Sequence, residues 1–233
     1  MIPDQPYSLS DADLKANTFY NIDSWGRPLR TSIFTGGLEY AAYDAMFGRK
    51  NTSNIESLSI LLAASEIFIL PGLIKGTCVF PGSVPAILYK EQVIFLDKMP
   101  AFIGSHPELL PLLYSAISVS LGIQAIELFK RLNVESGGKI FIEGGFLKNE
   151  IWCETVMALR NDLSYFVTNL QEASAFGAGL TALIADRHIE PTDAAALFEM
   201  KSEPMSPKLS LSFVLYQKNY IENLTKIGVN YVN

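Results

Sequence analysis

Between Lys139 and Ala185 the chain reads KIFIEGGFLKNEIWCETVMALRNDLSYFVTNLQEASAFGAGLTALIA. This is an apolar strand, a Gly-Gly turn, a helix, a second strand and a helix of small residues, the order of a nucleotide-binding α/β unit. Ile140, Phe141 and Ile142 form a β-branched and aromatic run of strand length, and Gly144-Gly145 ends it abruptly. The pattern predicts a strand over 139–143, a helix over 149–160 and a strand over 164–168, joined as a parallel, right-handed β-α-β crossover. Backbone without Cβ atoms approaches a flat base or a phosphate closely, and the free amides of a helix N-terminus favour negative charge. A Gly-Gly pair in this place is also an ordinary tight turn, and spacing alone leaves both readings open. Neither G-x-G-x-x-G nor G-x-x-x-x-G-K-[ST] occurs, so there is no dinucleotide fingerprint and no P-loop.

The 233 residues allow one large or two small domains, and no linker-like stretch divides them. A hydrophobic content of 49% supplies a core, and a net charge of −6 without a basic stripe argues against nucleic-acid or anionic-membrane partners. Small-molecule ligands fit better. Cys78 and Cys153 have neither C-x-x-C nor Cys/His ligand spacing, so no disulfide framework and no metal site is expected, and the default compartment is cytoplasmic. Cys153 falls inside the helix after the Gly-Gly turn and reads as a buried, inert thiol. His106 and His188 read as loop or surface histidines. The N-terminus lacks the basic start and apolar core of a signal peptide. Leu109 to Ile126 carries no charge, but its serines, Gly122 and Gln124 and its continuation into Glu127 and Lys130 mark an amphipathic core helix.

Elsewhere, SDAD predicts a capped turn over 10–14. Strands at 18–22 and 29–34 form a pair turned at Gly26. Helices are expected at 38–47 and 54–64, short strands at 66–70 and 89–96, and the longest helix at 110–132. Pro71 to Pro85 is too rich in Gly and Pro for regular structure and forms a shaped loop, either on the ligand side or as a plain connection. Ala175, Ala178, Gly179 and Ala182 recur at helical spacing, a smooth face fit for close packing against another backbone. A Pro-containing connection after Asp186 leads to a last helix over 210–226.

These motifs resemble the C-terminal half of the FGGY carbohydrate kinases, which include glycerol, xylulose, rhamnulose and fuculose kinases. The family's adenosine-binding signature is similar to Phe141 to Asn149, FIEGGFLKN, and its acidic-then-small-residue pattern to Glu172 to Ala182, EASAFGAGLTA, with Phe176 where the family has Leu. Gly26 to Tyr40 resembles the stretch after the family's phosphate-binding turn, and Ile69 to Gly82 its proline-rich loop, with departures around Gly76 to Ser83. The resemblance implies an actin-like ATPase domain of the ribonuclease H type, a mixed sheet flanked by helices. It covers 1–233, with the unit 139–185 at its centre and the N-terminal sugar-binding domain absent.

It further implies ATP held against Gly144 and Gly145, with Asn149 near the adenine or ribose, and transfer of the γ-phosphate to a sugar or polyol hydroxyl. The family's Gly-Thr phosphate turn, its general-base Asp and the acids organising magnesium lie in the other half. Gly76-Thr77 is in the wrong place, and Asp23, Asp44, Asp97 and Asp162 read as turn or helix-end residues. No catalytic residue is therefore assigned, and the chain alone is expected to be silent, because phosphoryl transfer requires both walls of the cleft. An uncovered sheet edge and interdomain face would promote homo-oligomers. A non-catalytic actin-like nucleotide-binding or regulatory and assembly module is the alternative.

Overall fold

The computed structural model describes residues 10–15, 18–23, 26–49, 51–75, 79–80, 82–170, 172–186, 189–190, 193, 201–208 and 212–227. The expectations at Gly76-Thr77, Cys78 and His188, and most of the connection after Asp186, lie outside the described residues.

The chain opens with α1 (Asp11–Lys15), capped where the Ser10 hydroxyl accepts from the Asp13 amide and the Asp13 carboxylate accepts from Ser10. β1 (Thr18–Ile22) and β2 (Pro28–Ser32) pair antiparallel, with Gly26 at φ +78° in their connection and Asp23 ion-paired to Arg27 at 2.7 Å. Helix α2 (Gly36–Met46) follows, then α3 (Ile55–Ala64), whose capping box joins Asn54 and Ser57 reciprocally. β3 (Ile67–Leu70), β4 (Ala86–Tyr89) and β5 (Gln92–Phe95) form an antiparallel sheet, and α4 (Met99–Ser105) leads to α5 (Leu110–Arg131). β6 (Lys139–Ile142) pairs parallel with β7 (Ser164–Thr168) across α6 (Glu150–Leu159), the predicted β-α-β unit. α7 (Ala173–Ala185), β8 (Ser202–Met205), antiparallel to β7, and α8 (Val214–Lys226) complete the order.

Three elements differ from the sequence reading. The strand expected over 89–96 is a hairpin, turned through Lys90 at φ +55°. β8 lies inside what reads as connection, and α4 carries Pro100 in its first turn, where a missing N–H costs nothing.

Helix α5 is the hub. Every residue from Leu113 to Leu128 is buried. It has the length and hydropathy of a membrane span, yet 83% of that apolar window is covered by surrounding protein. Its buried serines explain why: Ser115 bonds the Ser57 hydroxyl of α3 at 2.9 Å, Ser118 accepts from Asn149 at 3.0 Å, and Ser120 meets the Tyr220 hydroxyl of α8 at 2.8 Å. Each satisfied pair avoids the desolvation penalty of an orphaned hydroxyl, about 1–3 kcal/mol, and fixes one neighbour on the hub.

Close helix packing occurs on this hub and not where the small-residue stripe predicted it. A Cβ built on Gly122 of α5 would lie 2.6 Å from the Thr155 side chain of α6, so only glycine permits that crossing. Gly177 and Gly179 of α7 face open space, and Ala175, Ala178 and Ala182 are exposed. The stripe on α7 meets no backbone among the described residues.

Candidate functional site

Four segments, the fourth represented by Lys208, line a concave cavity of about 610 Å³. One wall is the Gly-Gly turn and the start of α6, contributing Gly145, Phe146, Lys148 and Asn149. The first turns of α2, with Gly37 and Tyr40, and the start of α3, with Asn54, Ile55 and Leu58, line it as well. The size and the mix of apolar lining with a few polar groups are those of small-molecule sites.

The turn is shaped residue by residue. Glu143 is extended, and Gly144 takes φ +74°, a left-handed conformation that glycine adopts freely. A 3₁₀ turn over Gly144–Lys148 then closes as the Asn149 amide donates to the Phe146 carbonyl at 3.0 Å. Asn149 caps α6 by accepting from the Trp152 amide at 3.0 Å, while its Nδ2 donates to Ser118 Oγ on the hub at 3.0 Å. Phe146 is clamped between Phe34, stacked at 5.6 Å, and Trp152 at 4.5 Å. Gly36 makes room for that clamp, since a Cβ there would collide with Phe34 and stand 2.9 Å from Phe146. At the strand ends, Thr168 donates to the Glu143 carboxylate at 2.7 Å, tying β7 to β6 below the turn.

Of the residues singled out by sequence, Gly145 and Asn149 line the cavity together, while Gly144 sets the turn without facing it. The Asn149 side chain is engaged at both ends as cap and tether, so its first duty is to position the wall. Sequence reasoning did not find Tyr40, Asn51, Asn54, Glu154 or Lys208. The sequence reading starts a helix at residue 54, but nothing local pairs that start with a turn ninety residues on.

The other candidates have structural employment. Asp44 accepts from the Tyr114 hydroxyl at 2.8 Å, and Asp97 sits in the turn between β5 and α4. Arg160, bonded at 2.8 Å, holds the Asp162 carboxyl below its usual range. His106 ends α4, stacked on Phe102 at 4.5 Å with Nδ1 3.0 Å from the Phe102 carbonyl. Burial, reinforced by the charges of Glu154 and Glu150, pushes the Cys153 thiol up to about 11, which leaves it inert as expected. Glu39 turns away from the cavity. Its carboxylate accepts from the Gly72 amide at 2.9 Å and the Leu73 amide at 3.3 Å, and burial raises it above the usual value despite those amides. Together with Ser83, whose hydroxyl donates to the Pro71 carbonyl at 2.6 Å, it fixes the two described ends of the Pro71 to Pro85 segment and ties the first of them to α2. Among the described residues no three His, Cys, Asp or Glu side chains cluster to hold a metal ion.

Comparisons with known proteins agree with this architecture. Residues 1–191 match the family described as "Carbohydrate kinase FGGY, C-terminal domain". No curated protein sequence matches the chain. Among solved structures, the crystal structure of a carbohydrate kinase from Novosphingobium aromaticivorans superposes with a TM-score of 0.70 at 17% identity, over 97% of this chain and 44% of that one. The chain thus spans less than half the length of that kinase. The likeness establishes the fold, the actin-like, ribonuclease H-type α/β arrangement with helices flanking the sheets. The matched span covers most of the chain, which therefore belongs to the FGGY carbohydrate kinase family as its C-terminal domain.

Proposed function

We propose that this chain is the ATP-binding half of a carbohydrate kinase, and that the cavity receives the nucleoside end of ATP. One observation carries the reading: Gly145, with open space where a Cβ would stand, lines the same cavity as the aromatic side chain of Tyr40. A flat base fits between a bare backbone and an aromatic face. The reaction would join a sugar or polyol hydroxyl oxygen to the γ-phosphorus, break its bond to the bridging oxygen of the β-phosphate and release ADP. The hydroxyl proton would pass to a base on the partner half.

The residues here do not fit a magnesium site. Glu154, the buried carboxylate at the cavity, accepts from the Lys208 amide at 2.9 and 3.0 Å, and Glu150 is exposed at the rim. Magnesium and the sugar therefore belong to the partner half in this reading, and the chain alone is silent. Calorimetry with ADP and ATP tests the site. An ATP turnover assay with a sugar panel tests the silence, and robust phosphorylation by the isolated chain contradicts it.

A further inference from the structure

We propose that Tyr114, Ser115 and Ser118 of α5 are positioning residues for the nucleotide cavity, their hydroxyls holding its lining helices in register. This rests on the nucleotide reading above and adds residues that touch no ligand.

Among the described residues, none of α5 lines the cavity. The helix nevertheless holds each of the three helices that do. The Tyr114 hydroxyl donates to the Asp44 carboxylate at 2.8 Å, and Asp44 lies one turn after Tyr40 on α2. Ser115 Oγ meets Ser57 Oγ at 2.9 Å, and Ser57 is the reciprocal partner of Asn54 in the capping box of α3. Ser118 Oγ accepts from Asn149 Nδ2, the cap of α6, at 3.0 Å and gives its own hydrogen to the Tyr114 carbonyl at 2.9 Å. Tyr40, Asn54 and Asn149 all line the cavity.

Positions 114 and 118, and 115 and 118, are neighbours on a helix surface, so the three ties leave α5 from one small area. Tyr114, Ser115 and Ser118 are each no more than 2% exposed, and solvent does not compete for their bonds. Apolar packing around them is non-directional, whereas a hydrogen bond holds its partners within a narrow range of distance. A ligand touching α2, α3 and α6 together binds best when their spacing is fixed beforehand, because ordering them on binding is subtracted from affinity.

The same helix supplies the control. Ser120 is fully buried and its hydroxyl meets Tyr220 of α8 at 2.8 Å, but no residue of α8 lines the cavity among the described residues. Loss of that pair removes a buried bond of the same kind and leaves the lining helices tied.

Isothermal titration of the full chain with ADP tests the proposal, at a temperature where thermal melts show each variant native. Tyr114→Phe, Ser115→Ala and Ser118→Ala are each expected to weaken ADP binding by about threefold to tenfold, the cost of ordering one or two freed side chains. Ser120→Ala, or Tyr220→Phe should that variant not fold, is expected to lower the melting temperature and bind ADP as wild type does. Wild-type affinity in all three cavity-side variants overturns the positioning role and leaves the nucleotide site standing. An affinity loss that follows melting temperature across every variant, the control included, overturns it too. Failure of wild type to bind ADP overturns the nucleotide reading itself.

Discussion

Gly145→Val separates a ligand cradle from a tight turn because the structure makes the substitution nearly free for the protein. No atom lies within 4 Å of a Cβ built on Gly145, and its φ is outside the left-handed region. The stability change should stay within about 0.5 kcal/mol, as for surface substitutions away from special features. For a domain of this size, that moves the melting temperature by no more than about 2 °C. The added methyls enter the space a base would occupy and abolish its contact with the bare backbone. Losing such stacking costs about 1–3 kcal/mol, a drop of roughly fivefold to 150-fold in ADP affinity. Gly144→Val is the opposite control. Its open surroundings impose no clash, but φ +74° costs a side chain about 1–2 kcal/mol, or about 2–8 °C. Differential scanning fluorimetry and calorimetry on the two variants decide the matter. If Gly145→Val keeps its melting temperature and binds ADP as wild type does, the cradle reasoning is refuted.

Further outcomes follow from individual groups. Burial holds the Glu39 carboxyl above its usual 4.5, so the folded protein binds this proton more tightly than the unfolded chain does. That stabilisation is complete below the unfolded value and drains away as pH rises through the folded value. Wild type should therefore lose melting temperature relative to Glu39→Gln as pH is raised from about 4.5; parallel curves would contradict the assignment. Tyr216→Phe removes a hydroxyl that donates to the Ile67 carbonyl at 2.7 Å in the core. It should cost about 1–3 kcal/mol in urea unfolding, with a secondary structure unchanged by circular dichroism. Peptide mapping after iodoacetamide at pH 8 should leave Cys153 unmodified in native protein and modified in urea, since its thiol is pushed up to about 11. The exposed apolar length of α7, with Leu183 at its surface, predicts self-association that rises with concentration. Light scattering should show Leu183→Glu reducing it, and an identical profile for both proteins would count against α7 as the contact.

The β-α-β unit was legible because its strands are β-branched or aromatic, its turn has two glycines and its helix has an asparagine cap, so each local preference agrees with the fold. The β4–β5 hairpin was hidden because its turn uses Lys90 in a left-handed conformation, where Gly or Asn would have signalled it. Pro204 masked β8, which tolerates proline because, among the described residues, only β7 pairs with it. At the site, Gly145 and Asn149 were readable from one contiguous motif. Tyr40 and Asn54 were not, since the aromatic clamp and the α5 tether bring them there across distant sequence. The close-packing stripe misled because periodicity records a smooth face without saying what covers it.

The clamp on Phe146 also equips the protein with its own optical probe. Trp152 is buried, its ring 4.5 Å from a residue of the cavity wall, and the only other tryptophan in the sequence is Trp25. In a Trp25→Phe protein all indole emission would come from one fluorophore seated one ring behind the site. Any occupant that presses on Phe146 changes the surroundings of that fluorophore, so the intensity becomes a titration signal needing no label, no coupled enzyme and no turnover.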